Sequence, residues 1–207
     1  MIKRQALLVA AIAAGLSMTA VAETAGTWTV GVGVGHVEPD SKNGSLGDIG
    51  IDHIDPDVRP TLTAEYFVAD NVGVELLAAL PFHHDIILNL ADGNKAEAKT
   101  QLLPPTLSLQ YHFDNVHANV KPFIGVGANY TAFFKERSGM EDVDLKIKDS
   151  WGVAGHAGVD FKINETDAVR LDARYIDLEP DVKLNGEKVG KAEINPWVYG
   201  ISYVQRF

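Results

Sequence analysis

Thr27-Trp28-Thr29-Val30-Gly31-Val32-Gly33-Val34-Gly35-His36-Val37 alternates from end to end. Trp28, Val30, Val32 and Val34 share one parity, and Thr29, Gly31, Gly33 and Gly35 share the other. Side chains point alternately to the two faces of a β-strand, so this strand has one bulky apolar face and one nearly bare face. A phosphate-binding loop is the competing reading of Gly31, Gly33 and Gly35. Such a loop opens a helix, whereas here the alternation runs on, and the glycines read as the lining of a narrow interior.

Seven further stretches repeat the period, near residues 61–68, 72–82, 103–113, 124–131, 150–161, 169–175 and 197–207. In the third strand, Val72, Val74, Leu76, Ala78, Leu80 and Phe82 oppose Gly73, Glu75, Leu77, Ala79 and Pro81. Strands of about ten residues have the length that a tilted membrane-crossing strand needs. Long polar connections near 38–58, 83–98, 135–149 and 178–195 follow the odd-numbered strands. Short ones near 69–71, 114–120 and 163–167 follow the even-numbered strands. The predicted fold is therefore all-β, an eight-stranded antiparallel up-and-down transmembrane β-barrel with long loops at one end and tight turns at the other.

Composition agrees with this and narrows function. The chain has 207 residues, which suits one domain, and a formal net charge of −10, which disfavours nucleic acid as a partner. With no cysteine there is no disulfide, thiolate metal site or cysteine nucleophile. Residues 1–22 read as a signal peptide: Lys3 and Arg4 precede an apolar run over 6–16, and Ala20-Val21-Ala22 offers a small-residue cleavage site. Residues 23–207 are then a single barrel domain with four long extracellular loops and three short periplasmic turns.

Period two does not say which face meets lipid. A soluble eight-stranded carrier would turn its apolar face inward. The aromatic residues decide against that. Trp28, Tyr66, Tyr111, Phe113, Phe161, Tyr203 and Phe207 fall toward the short-turn end, and Phe82, Tyr130, Phe134, Trp151, Tyr175 and Trp197 toward the long-loop end. Two such belts fit the two headgroup layers of a bilayer. An eight-strand barrel also lacks the internal volume for that many rings.

Several runs resemble the outer membrane protein W family, with its alkane-uptake relatives. They are Asn71-Val72-Gly73-Val74-Glu75-Leu76-Leu77-Ala78-Ala79 with Pro81-Phe82, Leu103-Pro104-Pro105-Thr106-Leu107, and Pro122-Phe123-Ile124-Gly125-Val126-Gly127-Ala128-Asn129-Tyr130-Thr131. Lys148-Asp149-Ser150-Trp151-Gly152 and Asn195-Pro196-Trp197, leading to Phe207, complete the set. The resemblance implies a barrel in the outer membrane of a Gram-negative cell, whose lumen passes small hydrophobic molecules and which in some members serves as a bacteriocin receptor. The partners are then membrane lipid and lipopolysaccharide, a small hydrophobic solute, and the barrel assembly machinery, which reads the C-terminal strand through Phe207. Gln205 departs from the pattern, standing where an outward aromatic is common.

Inward residues sort by height. Glu65, Glu75, His112, Asp160, Arg170, Asp172 and Arg206 lie toward the short turns, and their charges are expected to pair as a polar floor. Leu77, Ala79, Pro81, Leu102, Pro104, Phe133, Ala154, Ile176 and Val198 lie toward the long loops and form an apolar funnel. Pro81, Pro104 and Pro105 come at similar height in strands three and four, and proline lacks the N–H that a ladder needs. They mark a weak lateral seam through which a hydrophobic solute would leave sideways. The alternative is a non-conducting structural or receptor barrel.

Other chemistry is weakly supported. His83-His84-Asp85 could hold a transition metal, but histidines in a polar loop read more simply as solvated, and no metal or cofactor is expected. Ser150 and His156 sit about 20 Å apart on one strand at ~3.3 Å per residue, too far for a nucleophile and its base. No catalytic residue is assigned, and the chain is not read as an enzyme.

Overall fold

The computed structural model describes residues 24–40, 45–46, 49–90, 93–113, 119–140 and 142–207. The signal peptide assigned to 1–22 lies outside the described residues, as does most of the turn near 114–120. The strands are β1 (Trp28–Glu38), β2 (Ser45–Leu46), β3 (Ile49–Ile54), β4 (Asp57–Ala69), β5 (Val72–Ala79), β6 (Phe82–Asn89), β7 (Lys95–Leu103) and β8 (Thr106–His112). They continue with β9 (Val120–Arg137), β10 (Leu145–Ile147), β11 (Ser150–Lys162), β12 (Asp167–Asp177), β13 (Asp181–Leu184), β14 (Glu187–Lys191) and β15 (Trp197–Arg206).

Eight of these close a barrel in the order β11-β12-β15-β1-β4-β5-β8-β9, with β9 pairing back onto β11. Every pairing is antiparallel. Closure between the first and last strands runs from Thr29 opposite Arg206 to Glu38 opposite Trp197. Phe207 extends it, its N–H donating to the Trp28 carbonyl at 2.8 Å. The bare parity of β1 has a steric reason. A methyl at Gly33 would run into the Ile201 carbonyl oxygen and Ser202, so only glycine lets β15 lie this close.

The outward face is apolar from belt to belt. Leu62, Leu76, Leu107, Leu109, Ile124, Val126, Val153 and Ile201 are exposed between the rings. At the short-turn end Trp28 packs on Tyr66 and Tyr111 on Phe113; at the other end Tyr130 packs on Trp151 and Tyr175 on Trp197. A water-soluble carrier would bury this surface rather than present it.

The long connections depart from expectation. Rather than forming polar loops, the first two continue the wall, and the third and fourth supply a second sheet. β3 carries on the line of β4, β6 that of β5, and β7 that of β8, while the 18-residue β9 spans both levels. One side of the barrel thus rises as a shell ordered β9-β7-β6-β3-β2. A separate sheet, β10-β13-β14, stands against it. The two layers close on Ile54, Ile86, Leu88, Leu145, Ile147 and Val182, all buried in one apolar cluster.

Phe82 needs correction. Outward parity placed it in the lipid belt, yet it is only 2% exposed and belongs to the internal cluster. Leu77 pairs with Thr106 and Phe82 pairs with Leu102, so residues 78–81 on one strand face residues 103–105 on the other. One extra residue on the β5–β6 side shifts the alternation by one, and every side chain beyond it changes face.

Candidate functional site

The barrel interior is filled near its middle by charge. Arg170 is buried and reaches three carboxylates: Asp160 through Nε at 2.7 Å and Nη2 at 2.9 Å, Glu75 through Nη1 at 2.7 Å, and Glu65 through Nη2 at 3.3 Å. Its guanidinium also lies 4.4 Å from the Phe123 ring centroid. His112 Nε2 donates to Glu65 at 2.7 Å, and its ring stacks on Phe123. Buried charges persist when each has such partners; alone, each would cost several kcal/mol or more.

Above this layer Arg174 donates to Glu75 at 2.8 Å and to His156 Nδ1 at 3.0 Å. His156 Nε2 meets Asp172 at 3.3 Å, and Gln110 donates to its other nitrogen at 3.2 Å. The voids below and above the network hold only about 10 Å³ and 20 Å³. That is room for about one water molecule each, not for a hydrated ion in transit.

Of the residues assigned to the floor, the structure joins Glu65, Glu75, His112, Asp160 and Arg170 directly, with Asp172 linked through His156. Arg206 is half-buried near the short turns, lining the lower void together with His112, Asp160 and Arg170. Arg174, His156 and Gln110 were missing from the assignment although they stand on the inward parity. Period two gives a side chain's face but not how far it reaches across the barrel.

The upper half is apolar. Leu102, Phe133, Ala154, Ile176 and Val198 are buried in the main cluster, and Ala79 packs against it. Leu77 sits lower, lining the void over the charged layer beside Glu75 and Arg174. Pro81, Pro104 and Pro105 are half-buried at the break in the β5–β8 ladder. Pro105 and Pro104 present their carbonyls to β9, which Tyr130 N–H and Asn129 Nδ2 use at 3.0 and 3.2 Å. No pairing joins residues 78–81 to residues 103–105 among the described residues.

The chamber itself lies higher still, between the shell and the β10-β13-β14 sheet. It encloses about 30 Å³, walled by Ile51, Ile54, Ile86 and Leu88 on one side and Leu145, Ile147, Val182 and Ile194 on the other. None of these had been assigned, because the stretches were read as polar loops. The signal was present: Lys95, Glu97 and Lys99 alternate with Ala96, Ala98 and Thr100, a clean strand pattern.

His83 and His84 cannot act together on a metal. They are neighbours on β6 and face opposite ways, His83 outward against Arg59 and His84 inward with its Nδ1 2.6 Å from the Asp55 carbonyl oxygen.

Residues 24–207 match the model of the OmpW family. The chain belongs to the OmpW family. Outer membrane protein W of Escherichia coli strain K12 is 36% identical over 206 residues, covering 93% of each chain. Outer membrane protein AlkL of Ectopseudomonas oleovorans is 29% identical, covering 72% of this chain and 66% of its own. The crystal structure of the outer membrane protein OprG from Pseudomonas aeruginosa aligns with a TM-score of 0.76 and 32% identity, over 90% of this chain and 98% of that one. As an OmpW-family barrel, the protein resides in the outer membrane of a Gram-negative cell. Its lipid-facing rings and leucines meet the bilayer there, and its relatives are outer-membrane barrels rather than known enzymes.

Proposed function

We propose that this barrel takes small hydrophobic molecules in from outside the cell and releases them sideways into the outer membrane. The long-loop end is extracellular and the tight turns periplasmic, in a mature chain freed of residues 1–22 and assembled through a C-terminal strand ending in Phe207. One observation carries the reading: the apolar chamber sits above a charge-paired floor and beside an unpaired stretch of wall at residues 78–81 and 103–105. A solute that cannot pass the floor has an apolar way out only through the wall. Leu77, Ala79, Pro81, Leu102, Pro104, Phe133, Ile176 and Val198 form the route, with Pro81, Pro104 and Pro105 at the exit.

A second reading, a non-conducting receptor barrel, is favoured by the small free volume of the chamber. Reconstituted liposomes separate the two. Transport predicts several-fold faster transfer of a lipophilic dye into protein-containing vesicles than into empty ones, with little ion conductance. Equal rates would leave the receptor reading.

A further inference from the structure

His84 and Thr100 are directly opposed across β6 and β7, so their side chains share the inner face. Both are almost fully buried and both side chains border the chamber. Its exposed lining is carbon, so their polar atoms lie just behind that surface and a ligand must part it to reach them. The His84 Nδ1 contact is with a backbone carbonyl, which only accepts, so Nδ1 carries the proton. His84 Nε2 and the Thr100 hydroxyl have no hydrogen-bond partner among the described residues. Every other residue lining the chamber is aliphatic. Burial holds the imidazole below its ordinary pKa, against the raising influence of the Asp55 carbonyl and nearby carboxylates, so the ring is neutral and Nε2 offers a bare lone pair.

We propose that His84 and Thr100 form the head-group site of the chamber and select aliphatic alcohols over hydrocarbons and carboxylates. The inference rests on the transport reading above and names its substrate class. A ligand hydroxyl donates its proton to His84 Nε2 and accepts the Thr100 O–H, while its alkyl tail lies among the isoleucines and leucines. A hydrocarbon leaves both protein groups as unpartnered as they are in the empty chamber, whereas an alcohol pairs both. A carboxylate has no proton for Nε2, and the chamber lining holds no cation to offset its charge. A water molecule would gain two bonds here, fewer than the about three typical of buried water, and would fill none of the apolar space. The free volume is smaller than an octyl chain, so a tail of that length must part the β10-β13-β14 sheet from the shell.

The test uses the full barrel in lipid nanodiscs with 1-octanol, nonane and octanoate, affinities being corrected for partition into the bilayer. Octanol should bind about tenfold tighter than nonane, which has the same number of heavy atoms. It should also move the His84 Nε2 nitrogen resonance, which nonane and octanoate leave in place. Thr100→Val should remove most of the preference while keeping nonane binding, and Thr100→Ser should retain it. Equal binding of octanol and nonane with an unmoved Nε2 resonance, or tighter binding of octanoate, overturns the selectivity and leaves the hydrophobic route standing. Binding of none of the three overturns both.

Discussion

Phe82 stands opposite Leu102 inside the barrel mouth, both nearly inaccessible, although five residues earlier, on β5, Leu77 faces inward on the other parity. The extra residue in 78–81 makes both placements true at once. It turns His84, Ile86 and Leu88 inward with Phe82, and so builds the chamber wall.

Phe82→Ala should therefore destabilise the barrel by about 3–5 kcal/mol, the cost of a large cavity in a packed core. Urea unfolding in lipid vesicles measures this. A loss below about 1 kcal/mol would mean that the ring faces lipid after all.

Arg170 binds three carboxylates at once, and Arg170→Ala takes their shared cation away, leaving Glu75 to Arg174, Glu65 to His112, and Asp160 without its guanidinium. The expected loss is about 3–5 kcal/mol. Arg170→Lys should recover only part of it, because a single ammonium cannot reproduce the paired Nε and Nη2 contacts to Asp160. Stability close to wild type in Arg170→Lys would show that charge, not geometry, holds the floor.

Gly33→Ala should weaken barrel closure by about 1–3 kcal/mol, because the new methyl meets the β15 backbone. Heat-modifiable gel migration reports the folded fraction. Gly155→Ala is the matched control, since a methyl there meets open space, and it should fold normally.

The His84 environment sets a pH dependence outside the membrane-crossing strands. The ring's folded pKa is lowered, chiefly by burial, with His83 acting the same way and Asp55 and Asp57 opposing. The unfolded chain therefore binds the proton more readily, and stability rises with pH. The contribution is complete above the ordinary histidine value and fades as pH falls below it toward the lowered folded value. Amide protection in β6 and β7, with the intrinsic pH dependence of exchange divided out, should fall between about pH 7 and 5, and His84→Leu should remove the change.

The barrel was readable because lipid outside and a narrow interior impose one rule on every strand, as in Trp28-Thr29-Val30-Gly31. The shell was harder to see. Its outer face meets water, so Lys95, Glu97 and Lys99 made β7 look like a loop although Ala96, Ala98 and Thr100 kept the period. Phe82 failed for a different reason: a bulge changes face without leaving any mark in composition. The floor was half visible, since parity selects inward charges such as Glu75 and Arg170. Only the fold shows that Arg174 and His156 complete their network.

The central claim is that hydrophobic solutes travel through the apolar upper interior. Its most direct test is the rate of lipophilic dye uptake by liposomes carrying Leu77→Asp/Leu102→Asp, with folding verified by heat-modifiable migration. Uptake should fall several-fold toward the protein-free rate, because two carboxylates would stand in the route; an unchanged rate in the folded double variant would contradict it.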